Sequence, residues 1–277
     1  MKIIKHSSEL QHAIHQLKKE RNSTTVGFVP TMGSLHEGHL ELVKSSKQKA
    51  DLTVVSIFVN PTQFNNQKDL DTYPRDLDAD AQLLSSVDCD ILFAPSVAEV
   101  YPNEPIEIKV DLNGLEEVME GEHRPGHFKG VLMVVKRLFD LVQPHFAFFG
   151  RKDFQQLAII QKMVVELNIN LEIVPVEIQR NKFGLALSSR NQLLSDDQRE
   201  QALILYNTLK HGKELAAKNT NAEEVKKEMI TYFNQGELEL EYLSIVDNQN
   251  LQAVAEINGK TTACIAAYCG QVRLIDI

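Results

Sequence analysis

The 277-residue chain carries a formal net charge of -9, with 43% hydrophobic and 24% charged residues. These are the proportions of an ordinary globular protein, long enough for one large domain or two modest ones. The acidic balance argues against nucleic acid as a partner, because phosphate backbones are gripped by clustered Lys and Arg; a local basic pocket around one small anion remains compatible with it. Cys89, Cys264 and Cys269 form no C-x-x-C pair, which argues against a disulfide framework or a structural zinc site and points to a cytoplasmic, reducing setting. Residues 1–6 lack the apolar core of a signal peptide. No run approaches the roughly 18 apolar residues of a membrane span, so no membrane partner is expected.

Residues 8–20 predict a helix, with Leu10, Ala13, Ile14 and Leu17 on one face and Ser7 or Ser8 as its cap. A strand follows over 24–29, then a break at Pro30 and Gly33, then a helix over 36–50. The β-branched run at 52–59 predicts a strand buried on both faces, ended by Asn60-Pro61-Thr62-Gln63-Phe64. Residues 65–76 are polar and turn-rich. A helix over 77–87 precedes a short strand at 90–93. Residues 102–130, rich in Gly, Pro and charge, read as an insertion or lid rather than core. Helical spacing returns over 131–142, and a strand over 146–149 ends at Gly150. A helix over 153–167 turns Leu157, Ile160 and Val164 inward, and a strand over 171–178 is interrupted by Pro175.

Strands alternating with helices imply an α/β fold, a parallel sheet with helices on both faces. After about residue 180 the pattern changes: helical stretches at 196–216 and 221–234 precede strands at 240–246, 261–268 and 272–275. The chain is therefore expected to divide into a domain over 1–177 and a smaller α+β domain over 178–277.

Ligands of parallel sheets bind beyond the carboxyl ends of the strands. Four polar motifs follow predicted strands, at 30–39, 60–64, 150–156 and 180–191. In the first, His36 and His39 are three residues apart on one helical turn. A helix start offers unpaired N–H groups and partial positive charge to a phosphate, and Gly38 between the histidines costs about 1 kcal/mol in a helix, which close approach of a ligand would explain. A zinc site lacks an evident third ligand. In Gly150-Arg151-Lys152-Asp153, Lys152 is a candidate phosphate contact, with the amides of Gln155 or Gln156 for a polar substrate group; Asp153 capping a helix is the plainer reading. Ser188, Ser189 and Arg190 form a candidate phosphate clamp, against a simple turn and cap. His123 and His127, flanked by glycines and cations, line or close over a pocket, or belong to a plain charged loop. Asp76, Asp78 and Asp80 read as a solvated helix start, from which one carboxylate could hold Mg2+.

Residues 30–39, Phe58-Val59-Asn60-Pro61-Thr62-Gln63-Phe64, Tyr73-Pro74-Arg75, Arg124-Pro125-Gly126-His127-Phe128, Lys152-Asp153-Phe154-Gln155-Gln156 and Ser188-Ser189-Arg190-Asn191 together resemble the pantoate–β-alanine ligase (pantothenate synthetase) family, with the motifs in family order. The resemblance implies a Rossmann-like N-terminal domain of the HxGH nucleotidyltransferase kind, a small C-terminal lid and a homodimer. It implies two half-reactions: pantoate and ATP give pantoyl adenylate and pyrophosphate, and β-alanine then displaces AMP. It further implies that Met32, Gly33, Ser34, Leu35, His36, Glu37, Gly38 and His39 line the ATP site, together with Gly150, Arg151, Lys152, Asp153, Gln179, Leu187, Ser188, Ser189 and Arg190. His36, His39 and Lys152 are the implied catalytic groups, Gln63, Gln156 and Asn60 the implied contacts to pantoate and β-alanine, and Asp80 an implied Mg2+ position. Arg151 departs from the family's usual Glu, Met133 from a usual Thr, and Asn181-Lys182-Phe183-Gly184 from a more acidic loop. A nucleotidyltransferase acting on a nucleotide-like acceptor, or a non-catalytic nucleotide-binding regulator, are the competing readings.

Overall fold

Apolar, β-prone runs build a six-stranded parallel sheet. Its strands are β1 (Lys2–Ile4), β2 (Val26–Thr31), β3 (Leu52–Ile57), β4 (Ile91–Phe93), β5 (Phe146–Gly150) and β6 (Glu172–Val176), in the order β1-β4-β3-β2-β5-β6. The structure is a computed structural model and describes residues 1–64, 67–103 and 107–277. Positions 65, 66 and 104–106, parts of the expected turn and lid segments, lie outside the described residues.

The chain divides into two compact units, Met1–Leu112 with Arg124–Arg151 and Gln156–Glu177, and Asn113–His123 with Lys152–Gln155 and Ile178–Ile277. Two short stretches from within 1–177 thus group with the C-terminal residues.

In the first unit, Phe28, Val29, Val43, Val54, Val55, Leu84, Leu92 and Phe148 are fully buried, each worth about 1.5–3 kcal/mol of transfer free energy. The helices are α1 (Ser7–Arg21), α2 (Glu37–Lys49), α3 (Gln67–Thr72), α4 (Leu77–Ser86), α5 (Val97–Val100), and, after the second unit's α6 (Glu120–His123), α7 (His127–Val142) and α8 (Phe154–Glu166). The chain winds outward from β2 through β3 to β4, then returns to place β5 on the other side of β2. The switch point therefore lies between β2 and β5, the place beyond whose carboxyl ends parallel sheets of this kind bind ligands.

Several expectations need correction. Pro30 does not break β2; it pairs in register with Ser56. Its nitrogen faces the β5 side, where pairing is confined to Gly27 and Phe28, so no ladder bond is lost. Pro175 likewise sits within β6, which is an edge strand. Residues 65–76 include α3 rather than turns alone. The 102–130 segment contributes to cores: Leu112, Leu115, Met119 and Phe128 are buried, and α7 begins four residues earlier than expected. Its Gly and Pro content masked those apolar positions. Neither Ser7 nor Ser8 caps α1. The N-cap is His6, and the Glu99 carboxylate accepts from the Ser7 amide at 2.7 Å and sits 3.0 Å from His6 Nδ1. The Ser7 amide above all, then His6, holds the Glu99 carboxyl down at about 2.

The second unit packs α9 (Asp196–Gln201), α10 (Leu203–Ala216) and α11 (Ala222–Phe233) with an antiparallel sheet of β7 (Glu239–Asp247), β8 (Thr261–Cys269) and β9 (Val272–Asp276). Leu205, Met229, Phe233, Ile265 and Ala267 anchor its core. The expected 196–216 helix is divided at Ala202.

Candidate active site

The histidine turn leaves the carboxyl end of β2. Gly33 (φ +83°) and Ser34 (φ 53°) both adopt left-handed backbone, which turns the chain sharply toward α2. The Gly33 amide turns back to Thr31 Oγ1 at 3.2 Å, and the next two amides, of Ser34 and Leu35, converge on one point. That point is Asp80: its carboxylate accepts from Ser34 N at 2.9 Å and from Leu35 N at 2.7 Å. Asp80 is 2% exposed. Burial pushes its carboxyl above the usual range, against the pull of the Leu35 and Ser34 amides. Within the acidic run, Asp76 and Asp78 form the expected exposed helix start and Asp80 departs from it. Asp76 caps α4 through the Ala79 amide, Asp78 is exposed, and Asp80 fastens the turn.

The start of α2 closes on itself. His36 is its N-cap, and its Nδ1 accepts from Gly38 N at 3.1 Å; His39 Nδ1 accepts from His36 N at 3.3 Å. The Ser34 and Leu35 amides before the helix are taken by Asp80, and the His36 and Gly38 amides by the histidines. With both Nδ1 atoms accepting, each neutral ring carries its proton on Nε2. The ring centroids are 4.1 Å apart.

After β3, Asn60 is completely buried. Its Nδ2 donates to Gln63 Oε1 (3.2 Å) and the Gly130 carbonyl (3.1 Å), while its Oδ1 accepts from the Thr62 and Tyr101 hydroxyls, both at 3.0 Å. Every polar side-chain atom of Asn60 has a protein partner, which makes it a support for the turn that carries Gln63. It orients Gln63, whose Nε2 lies 3.0 Å from Met32 Sδ and whose carbonyl meets His127 Nδ1 at 2.8 Å. Gly130 is required here: a Cβ would stand 2.4 Å from the Thr62 carbonyl oxygen. His127 is buried against the Gln63 turn rather than part of a loose loop.

At the end of β5, Gly150 pairs with Val176. Arg151, expected at ATP, is exposed and paired with Glu177 at 3.0 Å. Its guanidinium neutralises a neighbouring carboxylate in solvent. Gln156 is half-buried on the first turn of α8.

In the second unit, Lys152 is mostly buried and lies 3.5 Å from Asp153. Gln155 is not a candidate substrate amide: its Nε2 donates to the Leu115 and Val118 carbonyls (2.6 and 2.8 Å) and its Oε1 accepts from Glu120 N (2.9 Å). Residues 179–191 form a hairpin in which Leu187 N donates to the Gln179 carbonyl at 2.9 Å and Arg180 bridges Ala186. Ser188 caps the short 3-10 turn Ser189–Leu193 through Arg190 N, and Ser189 is buried. The sequence reading missed what holds this hairpin. Arg180 makes a bidentate pair with Asp276 at 2.5 and 2.8 Å, donates to the Gly184 carbonyl and lies over the Tyr206 ring. Gly184 (φ +106°) allows that ring to approach, since a Cβ would meet it at 2.2 Å.

Among the described residues, no group of three His, Cys, Asp or Glu side chains is arranged to hold a metal ion. Asp80, with both oxygens engaged by amides, does not fit the expected Mg2+ position.

A model of the pantoate-beta-alanine ligase family matches residues 2–277. The chain belongs to that family. This ligase is 48% identical to a pantothenate synthetase of Bacteroides fragilis and 44% identical to one of Acetivibrio thermocellus, over 100% of the chain and 98% of each relative. Among solved structures it resembles pantothenate synthetase from Thermus thermophilus, with a TM-score of 0.93 and 39% identity over 100% of this chain and 98% of that one. It also resembles the Francisella tularensis ligase complexed with beta-gamma ATP and beta-alanine, with a TM-score of 0.78 and 36% identity over 100% and 96%.

Proposed function

We propose that His36 and His39 stabilise the α-phosphate of ATP while the carboxylate of pantoate attacks it. The setting is the reaction of the family, the ATP-dependent condensation of pantoate with β-alanine. The attack yields pantoyl adenylate and pyrophosphate; the β-alanine amine then attacks the acyl carbon and expels AMP. The observation that carries the histidine roles is the tautomer set by the turn. Each Nδ1 accepts a backbone N–H, so each Nε2–H is a donor for charge that develops on phosphate oxygens. Removing one donor of this type costs about 10²–10³ in rate. His39 is the proton donor of the pair.

Gln63 is assigned to pantoate, and its orientation supports this. Asn60 holds its oxygen, while its NH2 meets a thioether, a weak acceptor that a substrate oxygen would replace. Gln156 is assigned to the same substrate. Lys152, Gly150, Asp153, Gln179 and the run Leu187–Arg190 are assigned to ATP, and so is Met32–His39. Mg2+ would enter with the nucleotide and would supply neutralisation of phosphate charge. A homodimer in the cytoplasm is the proposed setting. No helix among the described residues is long and apolar enough to cross a membrane.

Pyrophosphate release with ATP and pantoate, without β-alanine, tests the adenylation step. Release is expected; its absence refutes the assignment, and release that requires a nucleotide-like acceptor favours a transferase.

A further inference from the structure

Lys152 sits three residues before Gln155, which is 3% exposed and makes all its side-chain hydrogen bonds to backbone. Its amide nitrogen reaches two carbonyls and its oxygen one amide, all within 115–120. Three such bonds leave the Lys152–Gln155 stretch no freedom to slide against that segment. The segment is itself tightly folded: at Gly121 a Cβ would stand 1.8 Å from the Glu116 carbonyl oxygen.

Glu120 in turn is clamped by β9. Arg273 Nη1 and Nη2 reach its two oxygens at 2.8 Å each, and the Tyr242 hydroxyl donates to Oε1 at 2.8 Å. Glu241 accepts from Arg273 Nε at 2.9 Å and from the Tyr268 hydroxyl at 3.1 Å. His123 stacks on Tyr242. The Arg273 side chain is 17% exposed, and those of Glu120 and Glu241 are 10% and 13% exposed. A buried ion cluster is weak as a source of stability compared with apolar packing. What a bidentate guanidinium adds is fixed orientation.

We propose that Arg273 is a positioning residue for Lys152, acting through Glu120 and Gln155. The chain of hydrogen bonds runs from β9 through Glu120 to Gln155, three residues along the backbone from the lysine assigned to phosphate. Arg273 therefore sets where Lys152 presents its charge during adenylation. This inference rests on the assignment of Lys152 to the nucleotide.

A double-mutant cycle on pyrophosphate release tests it, using Arg273→Lys, Lys152→Ala and both together. Arg273→Lys keeps the charge and loses the fork. It is expected to lower kcat about tenfold, with KM for pantoate unchanged, and to have no further effect once Lys152 is Ala. An equal factor in both backgrounds overturns the inference while leaving the Lys152 assignment intact. Full activity of Lys152→Ala overturns both. Unchanged kinetics in Arg273→Lys beside a lowered Tm assign the cluster to stability alone and also overturn it. Should Arg273→Lys not fold, Gln155→Glu, which sets carboxylate oxygens against the Leu115 and Val118 carbonyls, enters the same cycle with the same expectations.

Discussion

The histidine turn and the 180–190 hairpin are short polar connections assigned to the same nucleotide, yet they are fastened in different ways. The turn is held by neutral amides: one carboxylate, Asp80, takes two N–H groups, and the histidines cap their own helix. The hairpin is held by opposite charges, Arg180 against Asp276, with a tyrosine ring beneath the guanidinium. The histidine caps join residues two and three apart and the Asp80 bonds span 45 and 46 residues, whereas Arg180 and Asp276 are 96 residues apart. The turn is thus set partly by local backbone and partly by α4, while the hairpin depends on the far end of its own unit.

Substitutions at each anchor separate the two. The largest effect is expected from His39→Ala: pyrophosphate release should fall about 10²–10³-fold. Stability should drop by only about 1 kcal/mol from the lost cap, read from urea midpoints. A fall in stability without a fall in rate would make His39 a structural residue.

Asp276→Ala comes next. Removing one partner of a buried pair costs about 3–5 kcal/mol, and the lower end applies because the Arg180 side chain is 21% exposed. KM for ATP should rise with it, through displacement of Leu187–Arg190. Denaturation curves with unchanged midpoint would show that the hairpin is held by Tyr206 alone.

Asp80→Ala should leave the Ser34 and Leu35 amides without their acceptor, at about 1–3 kcal/mol for each unsatisfied buried group. Its kcat should fall while KM for pantoate stays near wild type. Gly130→Ala reports on the other flank. A Cβ against the Thr62 carbonyl overpacks the site by about 1–3 kcal/mol and should raise KM for pantoate more than KM for ATP; equal changes in both would detach Gln63 from pantoate.

The smallest effect lies away from both connections, at the α1 cap, and serves as a charge control. Glu99 titrates near 2 in the folded chain, below its ordinary 4.5. Its stabilisation is therefore complete above about pH 4.5 and fades as pH falls toward 2. His6 is raised above 6.5 by Glu99, so its share is complete below 6.5 and fades as pH rises through the raised value. Together they are strongest between those limits. Glu99→Gln should flatten Tm across pH 2 to 7, and an unchanged profile would remove this cap from the account.

The alternation of strands and helices was legible because Leu52–Ile57 and Phe146–Gly150 are long β-prone runs and α2 and α8 show clear helical spacing. Three-residue β1 and four-residue α5 and α6 were not, since such short elements are stabilised by neighbours rather than by propensity. His36, Gly38 and His39 stood out as a motif. The role of Asp80 did not, although its place between Leu77 and Leu84 on the buried face of α4 is visible in the spacing and argues against a solvated carboxylate. Asn60 and Gln155 are amides of the right type for a substrate, and that their side-chain atoms are all engaged by the protein is visible only in the fold.

Local pattern was enough to define β2 to β6, the histidine pair and the family motifs, because each is written in residues close together in the chain. The saturation of Asn60 and the Arg180–Asp276 and Arg273–Glu120 pairs were decided only by tertiary structure. An ion pair between residues 96 or 153 positions apart leaves no periodic trace in a sequence, and whether a polar atom is available to a ligand depends on the other groups that reach it once the chain is folded.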